Sequence, residues 1–327
     1  MKKVIVNGAS PGENGEVLLQ NISDCVGKLK LRGAAKECTK TLTFELLRGD
    51  FDPTLPDFEL ELGDAINVLE VDEDSGAIFP VFTGVVWEIT KNDNDVAKQI
   101  TCYDKAIYLN KSEPKTQVFE QKTPDQVAFK IISELGLTPG ELATGEVDDF
   151  NLRNKNGYDG IMEAYKKESE KTGRKFKIVY KDGAVNVYEV SKMINTVIEE
   201  LNEPVVGKLL NTSFKKSLDT VINDVKAIED EKKDDKKKAA SDEASQAKYG
   251  LIQKLVKGNK EEVDGLLAEA KKEIDVECIG DWSMETGKSI PLNSSIISGT
   301  FYITADEHTL DDAIHTCHLS LSSVYEM

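Results

Sequence analysis

Histidine and tryptophan are scarce here, three and two residues among 327. Neither HExxH nor GxSxG occurs, so a zincin centre and a serine-hydrolase elbow both lack their motif. Cysteine is sparse too: Cys25, Cys38, Cys102, Cys278 and Cys317 stand singly, with no CxxC. An odd, scattered set gives no disulfide framework and fits a chain made and kept in a reducing cytoplasm. No apolar run approaches the roughly 20 residues that cross a bilayer, and MKKVIVNGASPGENG holds too few apolar residues for a signal peptide. Positive charge is in deficit, with 41 Lys and Arg against 59 Asp and Glu, a net charge of −18. Such a surface repels phosphate backbones and argues against sequence-specific nucleic-acid binding. It leaves open an acidic channel wall past which DNA could move without adhering.

What is present is mostly alternation. TKTLTFELL places Leu42, Phe44 and Leu46 on one strand face, and FELEL does the same with Phe58, Leu60 and Leu62 before a Gly63–Asp64 turn. AINVLEV, VFTGVVWEIT and VAKQITCYD continue the period-two pattern, with Gly84 as a bulge or barrel corner. Short strands without intervening helices predict a small antiparallel barrel over residues 1–112. The period then changes. TPDQVAFKIISELG reads as a helix with Thr123 as N-cap, Pro124 at its first position and Gly136 as its stop. YDGIMEAYKKESEKTG predicts a second helix ending at Gly173, and RKFKIVYKDGAVNVYEV a hairpin turning at Asp182–Gly183. Residues 113–200 are thus a small α+β domain. A second β-barrel is predicted from residues 201–230 and 275–327, split over 231–274 by a charged loop (EDEKKDDKKKAASDEASQ) and a helix whose face carries Val263, Leu266, Leu267, Ala270 and Ile274. The whole is α+β but mainly β. A Gly–Asp step at 63–64 and again at 280–281 is a faint echo between the two β regions.

Several stretches carry residues of catalytic type. HTLDDAIHTCHLS gathers all the histidines with Cys317, but on a strand His315 and Cys317 share one face and His318 takes the other. At most two ligands then converge, short of a zinc set. ETGKS at 285–289 lacks the glycine a phosphate loop needs five residues before Gly287, where Trp282 stands, and reads as a polar hairpin turn. The carboxylate neighbours Asp148–Asp149, Glu199–Glu200 and Asp311–Asp312 lie in polar contexts without a facing partner. In ITCYDKAIYLN, alternation divides Cys102, Tyr103 and Asp104 between faces; the strand ends there and Asp104 caps the following turn. No catalytic residue, cofactor or metal is assigned, and the chain is expected not to be an enzyme.

The ordered set is nevertheless informative. Phe82–Thr83–Gly84–Val85 precedes a strand exit with Cys102, Tyr103, Asp104, Tyr108 and Leu109; Tyr249–Gly250 lies in KYGLIQ, and Gly280–Asp281 follows. In this order, from about residue 30 to the C-terminus, the chain resembles the baseplate hub proteins of contractile phage tails and R-type bacteriocins (the XkdQ and YqbQ group, related to late-control protein D). Two features depart from that pattern: the lysine-heavy insert at 229–247, and a last strand so near the C-terminus that no fused lysozyme or peptidase is expected. The resemblance implies a homotrimer whose two barrels per chain make six quasi-equivalent units. It would join the hexameric tail tube to the trimeric central spike and other baseplate proteins, with tape-measure protein or DNA passing through its lumen. It also implies synthesis in a bacterial host and assembly into a phage or phage-tail-like particle, with no membrane insertion. The other reading is a peptidoglycan-binding or wall-degrading tail protein, because TPDQVAFKIISELGL with its spacer also resembles part of a LysM-type module. A secreted adhesin is a weaker third, opposed by the cysteine count and the missing signal peptide.

Overall fold

The computed structural model describes residues 2–11, 17–49, 54, 58–72, 74–190, 193–219, 221–227, 239–256, 267, 270–311 and 314–327. The first β region comprises β1 (Lys2–Pro11), β2 (Val17–Asn21), β3 (Val26–Ala34), β4 (Thr41–Leu47), β5 (Ala65–Asp72), β6 (Ile78–Thr90) and β7 (Ala97–Tyr103). A short helix α1 (Ile107–Lys111) leads to β8 (Val118–Lys122), α2 (Pro124–Glu134), β9 (Pro139–Leu142), β10 (Asp148–Asn151), α3 (Gly157–Thr172), β11 (Phe176–Lys181) and β12 (Ala184–Glu189). There follow β13 (Ile198–Glu199), β14 (Leu209–Ser217), β15 (Asp224–Ala227), β16 (Ala239–Ser241), α4 (Glu243–Tyr249), β17 (Gln253–Val256), β18 (Lys271–Ile279), β19 (Ser289–Asn293), β20 (Ser298–Asp311) and β21 (Ile314–Ser322). Two compact units result, residues 1–212 with 275–327, and residues 213–274.

In the first unit the alternation does what it predicted. Leu42, Phe44 and Leu46 of β4 are almost wholly buried and share a core with Leu29, Leu31, Val68, Phe82, Ile100 and Cys102. Each large apolar side chain so buried contributes about 2 kcal/mol. FELEL is different: Phe58–Glu61 carries no ladder, and although Leu60 is tucked into the core, Leu62 lies 69% exposed. Two strands precede residue 29, where no period-two signal was read. The middle region follows its helical signals. Helix α2 starts at Pro124 with Thr123 as its N-cap, α3 stops at Gly173 (φ 76°) in the left-handed region, and β11 turns into β12 through Asp182 (φ 53°) and Gly183 (φ 77°). Val127, Ile131, Ile161, Tyr165, Phe176 and Val187 close its core.

The two predicted closed barrels are not what the described pairings form. A single sheet runs from β14 through β18, β21, β20, β3, β4, β7, β6 and β5 to β1 and β2. Its two β regions are stitched by β20 against β3, from Ala305↔Ala34 to Leu310↔Leu29. Period two marks which face of a strand is buried but not which edge meets which, so the joint is invisible in sequence.

A duplication does emerge. The order β3-β4-β7-β6-β5 recurs as β14-β18-β21-β20-β19, with the strands in the same chain sequence. The correspondence extends to irregularities. On β6 the ladder to β7 slips between Val86 and Glu88; on β20 the ladder to β21 slips between Ile303 and Ala305. Val86 O accepts from Gly63 N (2.9 Å) and its N donates to Asp64 O (2.8 Å); Ile303 O accepts from Gly287 N (3.1 Å) and its N donates to Lys288 O (2.8 Å). Gly63 (φ 93°) and Gly287 (φ 91°) adopt the same left-handed conformation. The counterpart of Gly63–Asp64 is therefore Gly287–Lys288, not Gly280–Asp281. The ETGKS stretch is correspondingly no hairpin turn, since it links β18 to β19, which do not pair with each other.

The second unit is small by itself. Strands β16-β15-β17 form a three-stranded sheet whose core holds Val225 and Ala240. Of the helix predicted around Val263 to Ile274, residues 257–266 fall outside the described residues, while Ile274 lies in strand β18.

Candidate functional site

The signature positions of the first β region gather where β7 ends against the middle of β6. Phe82 is buried, and a Cβ added to Gly84 would lie 2.3 Å from the Tyr103 carbonyl oxygen and 2.5 Å from the Phe82 ring. Only glycine lets β6 approach β7 this closely. Trp87 packs edge-on against Tyr103 (centroids 5.8 Å) and Tyr108 (6.1 Å). Cys102 belongs to the sheet core, whereas Ala106 and Leu109 belong to the core of the middle region. Asp104 stands between them: its carboxylate accepts from Lys40 N (2.7 Å) and Ala106 N (2.9 Å). Burial pushes its carboxyl up to about 6, against the lowering pull of those two bonds. The CYD stretch is thus a strand exit that fastens one core to the next.

Charged groups from distant parts of the chain meet Asp104 from the other side. Lys40 Nζ lies 3.4 Å from Glu285 Oε2. Burial alone would lower the Lys40 ammonium, but Glu285, Asp306 and Asp104 hold it above its ordinary value; Glu285 is correspondingly held low by Lys40 and Lys288 against its own burial. Asp306 accepts from Thr286 N (2.7 Å) and from the Thr286 hydroxyl, which also reaches Gly33 O (3.3 Å). From the middle region Lys177 Nζ donates to Ala34 O (2.7 Å) and Glu37 O (3.1 Å), and burial pushes its ammonium down to about 8. These groups line a cavity of about 20 Å³, room for about one water. The joint of β3 with β20 is thereby a charge network linking both β regions and the middle region, with Asp104, Thr286 and Asp306 buried and Lys40, Lys177 and Glu285 half-buried. Lys40, Lys177 and Asp306 carry no motif in the sequence, and Glu285 and Thr286 stand there only within the ETGKS stretch. One signal was available: past Thr304, where β20 slips, Asp306 and His308 take the buried positions that Phe301 and Ile303 hold before it.

His308 also changes the histidine cluster. Its Nδ1 lies 2.9 Å from His315 Nε2 and 3.5 Å from Cys317 Sγ, so three such side chains converge rather than two, brought together by the β20–β21 ladder; His318 is exposed on the other face. Trp282 stacks on His315 at 4.1 Å, and His308 Nε2 meets Met284 O at 3.1 Å. A Cβ on Gly280 would lie 2.9 Å from His315 Nε2, while Asp281 Oδ1 accepts from Ser283 N (2.9 Å). Burial holds His308 down to about 4 and the Cys317 thiol far up. A neutral imidazole beside a protonated thiol packs a core; it does not generate a nucleophile. Among the described residues no group of three or more His, Cys, Asp or Glu is arranged to hold a metal ion.

In the second unit Tyr249 ends α4 and Gly250 (φ 83°) turns the chain, its carbonyl accepting from Asn223 Nδ2 (2.8 Å) while Asn223 Oδ1 accepts from Ile252 N (2.7 Å). The signature residues therefore do not share one site: Phe82 and Gly84 lie within β6, Cys102 and Tyr103 end β7, Tyr108 and Leu109 lie on α1, and Tyr249–Gly250 and Gly280–Asp281 stand where α4 and β18 end. On the middle region an open groove of about 740 Å³ is lined by Val118, Phe119, Lys122, Asp125, Phe129 and Lys130.

Comparison with known proteins follows this architecture. The chain has the fold of a 43 kDa tail protein from prophage MuSo2 of Shewanella oneidensis, at TM-score 0.71 and 12% identity over 98% of both chains. It is similar to prophage tail protein gp18 of Listeria monocytogenes EGD-e (TM-score 0.61, 12% identity, 99% of this chain and 95% of that one). A third likeness is to the c3393 protein of E. coli, a type VI secretion component described as structurally similar to the T4 bacteriophage tail proteins gp27 and gp5 (TM-score 0.53, 10% identity, 92% and 75%). No curated protein matches the sequence. Residues 29–322 match the YQBQ-like family, a span that contains the glycine step at β6, the CYD exit, the buried joint and the duplicated sheet, and so the chain belongs to the YQBQ-like family.

Proposed function

We propose that the chain is the structural hub subunit of a contractile tail baseplate, a trimer that joins a six-fold tail tube to a three-fold spike and lines the channel between them. The observation that carries this is the duplicated sheet order, β3-β4-β7-β6-β5 against β14-β18-β21-β20-β19. A six-fold ring cannot pack on a three-fold one without an adaptor that presents both symmetries, and two like β units per chain in a trimer supply it. The full-length likeness to prophage tail proteins supports the same reading. The domains are taken as residues 1–112, 113–200, 201–230 with 275–327, and 231–274, and the signature residues as positions that hold strand exits. The net charge of −18 suits a channel wall that DNA or a tape-measure protein passes without sticking. Such a particle is a phage or an R-type bacteriocin, assembled in a bacterial host. The charge network at Lys40, Glu285 and buried Asp306 has the character of a fixed joint, in keeping with a non-enzymatic part.

Molar mass by light scattering tests this, on the chain alone and co-expressed with the spike protein encoded beside it. A mass of three chains, with rings in negative stain, is expected in at least one condition; a monomer in both would overturn the adaptor. The groove between Val118 and Phe129 favours one second reading, attachment to peptidoglycan through the middle region. Co-sedimentation with purified murein, with Phe129→Ala as control, would reveal it.

A further inference from the structure

The middle region holds two small sheets, and each ends in a strand that borders the open groove. Among the described residues β8 has β10 as its sole neighbour, and β9 has β12. Along β8 the ladder uses Gln117, whose O accepts from Leu152 N (2.7 Å), and Phe119, opposite Phe150. Antiparallel pairing alternates, so Val118 and Glu120 turn their N–H and C=O groups away from β10. Along β9, Glu141 N donates to Asn186 Oδ1 (2.7 Å) and Ala143 N to Val187 O (2.9 Å). Both point at β12, so Leu142 between them turns its backbone groups outward in the same way. Val118, Glu120 and Leu142 all line the groove. The two free edges thus open onto one space.

Helix α2 borders that space and leaves Phe129 56% exposed, while on β8 Val118 is 46% exposed. A groove of about 740 Å³ with open backbone edges and an uncovered aromatic suits polypeptide. An extended chain offers N–H and C=O groups at strand spacing to both edges, and its alternate side chains reach the apolar surface. A glycan has no such ladder to offer. We propose that an extended segment of a partner protein, apolar at alternate positions, adds as a strand between β8 and β9. It turns the two sheets into one, in the order β10-β8-segment-β9-β12-β11. The occupant is not a described strand of a second copy. An inserted strand needs both of its edges free, and every strand described in this chain already pairs on at least one side. The proposal goes beyond the hub reading and does not rest on it.

Selection from a random peptide library on the immobilised full chain tests this, with a Phe129→Asp chain as control. The substitution falls at an exposed position, and circular dichroism checks that the control is folded. Sequences that alternate apolar and polar residues are expected to be enriched, and Phe129→Asp should weaken the best of them by about tenfold or more. Hydrogen exchange on the complex should show the amides of Val118, Glu120 and Leu142 slowed by about tenfold or more, while the outer edge of β11 stays unchanged. No enrichment over the control overturns the proposal, as does protection at β11 rather than at β8 and β9. A groove that takes soluble murein fragments with the same protection and selects no peptide also overturns it, in favour of attachment to peptidoglycan. Each of these failures leaves the trimer test of the hub untouched.

Discussion

Replacing Gly84 by alanine probes whether the strand exit is held by close backbone approach. The new methyl would sit 2.3 Å from Tyr103 O and 2.5 Å from the Phe82 ring. The oxygen belongs to a backbone fixed in the β6–β7 ladder at Val85↔Tyr103, and Phe82 is only 4% exposed. Neither is free to move, so β6 must retreat by roughly 0.7 Å to reach the 3.0 Å that a Cβ tolerates. Overpacking of this kind costs about 1–3 kcal/mol, and a disturbed ladder bond about 1 kcal/mol more. The lost backbone freedom of the unfolded chain returns about 0.5–1 kcal/mol. The net is a destabilisation of about 1–3.5 kcal/mol, at about 2–4 °C of Tm per kcal/mol. Gly63→Ala is the reference. Its φ of 93° strains an alanine while nothing lies within 4 Å of the added methyl, so it should cost only about 1–2 kcal/mol. Scanning calorimetry of the three proteins decides. A Gly84→Ala protein as stable as the parent, or more stable than Gly63→Ala, would refute the packing argument.

Asp104→Asn keeps the shape but turns an amide toward Lys40 N or Ala106 N; a loss of about 1–3 kcal/mol is expected in urea unfolding. The same carboxyl, raised to about 6 in the fold, favours the protonated folded state, so its stabilisation is full below pH 3.8 and fades as pH rises to 6. His308 works the other way. Its imidazole is held down to about 4 among Met284 O, His315, Cys317 and Asp306, so its stabilisation is full above pH 6.5 and is lost as pH falls towards 4. The stability difference between wild type and His308→Gln should shrink by about 2–3 kcal/mol across that window, and a flat difference would exclude a buried neutral histidine. All five cysteines are free and buried, with burial raising each thiol. Ellman titration should find them silent in the native protein and count five after denaturation.

The sequence by itself determined what local physics can determine. Alternation at Leu42, Phe44 and Leu46 set a buried strand face, and Thr123–Pro124 with Gly136 and Gly173 set where two helices begin and end, because caps and periodicity act over a few residues. The ordered run from Phe82 to Asp281 was enough to mark the family. It misled where burial does not imply pairing, as at Leu60, and at Ile274, which ends an apolar helix stripe in the sequence but lies in strand β18. Only the tertiary structure decided which edges meet. The β3–β20 joint, the equivalence of Gly63 with Gly287, and the meeting of Lys40, Glu285 and Asp306 depend on residues more than 200 positions apart. Backbone edges carry no side-chain signature, and a buried charge network exists only once folding has removed water from around all its members together.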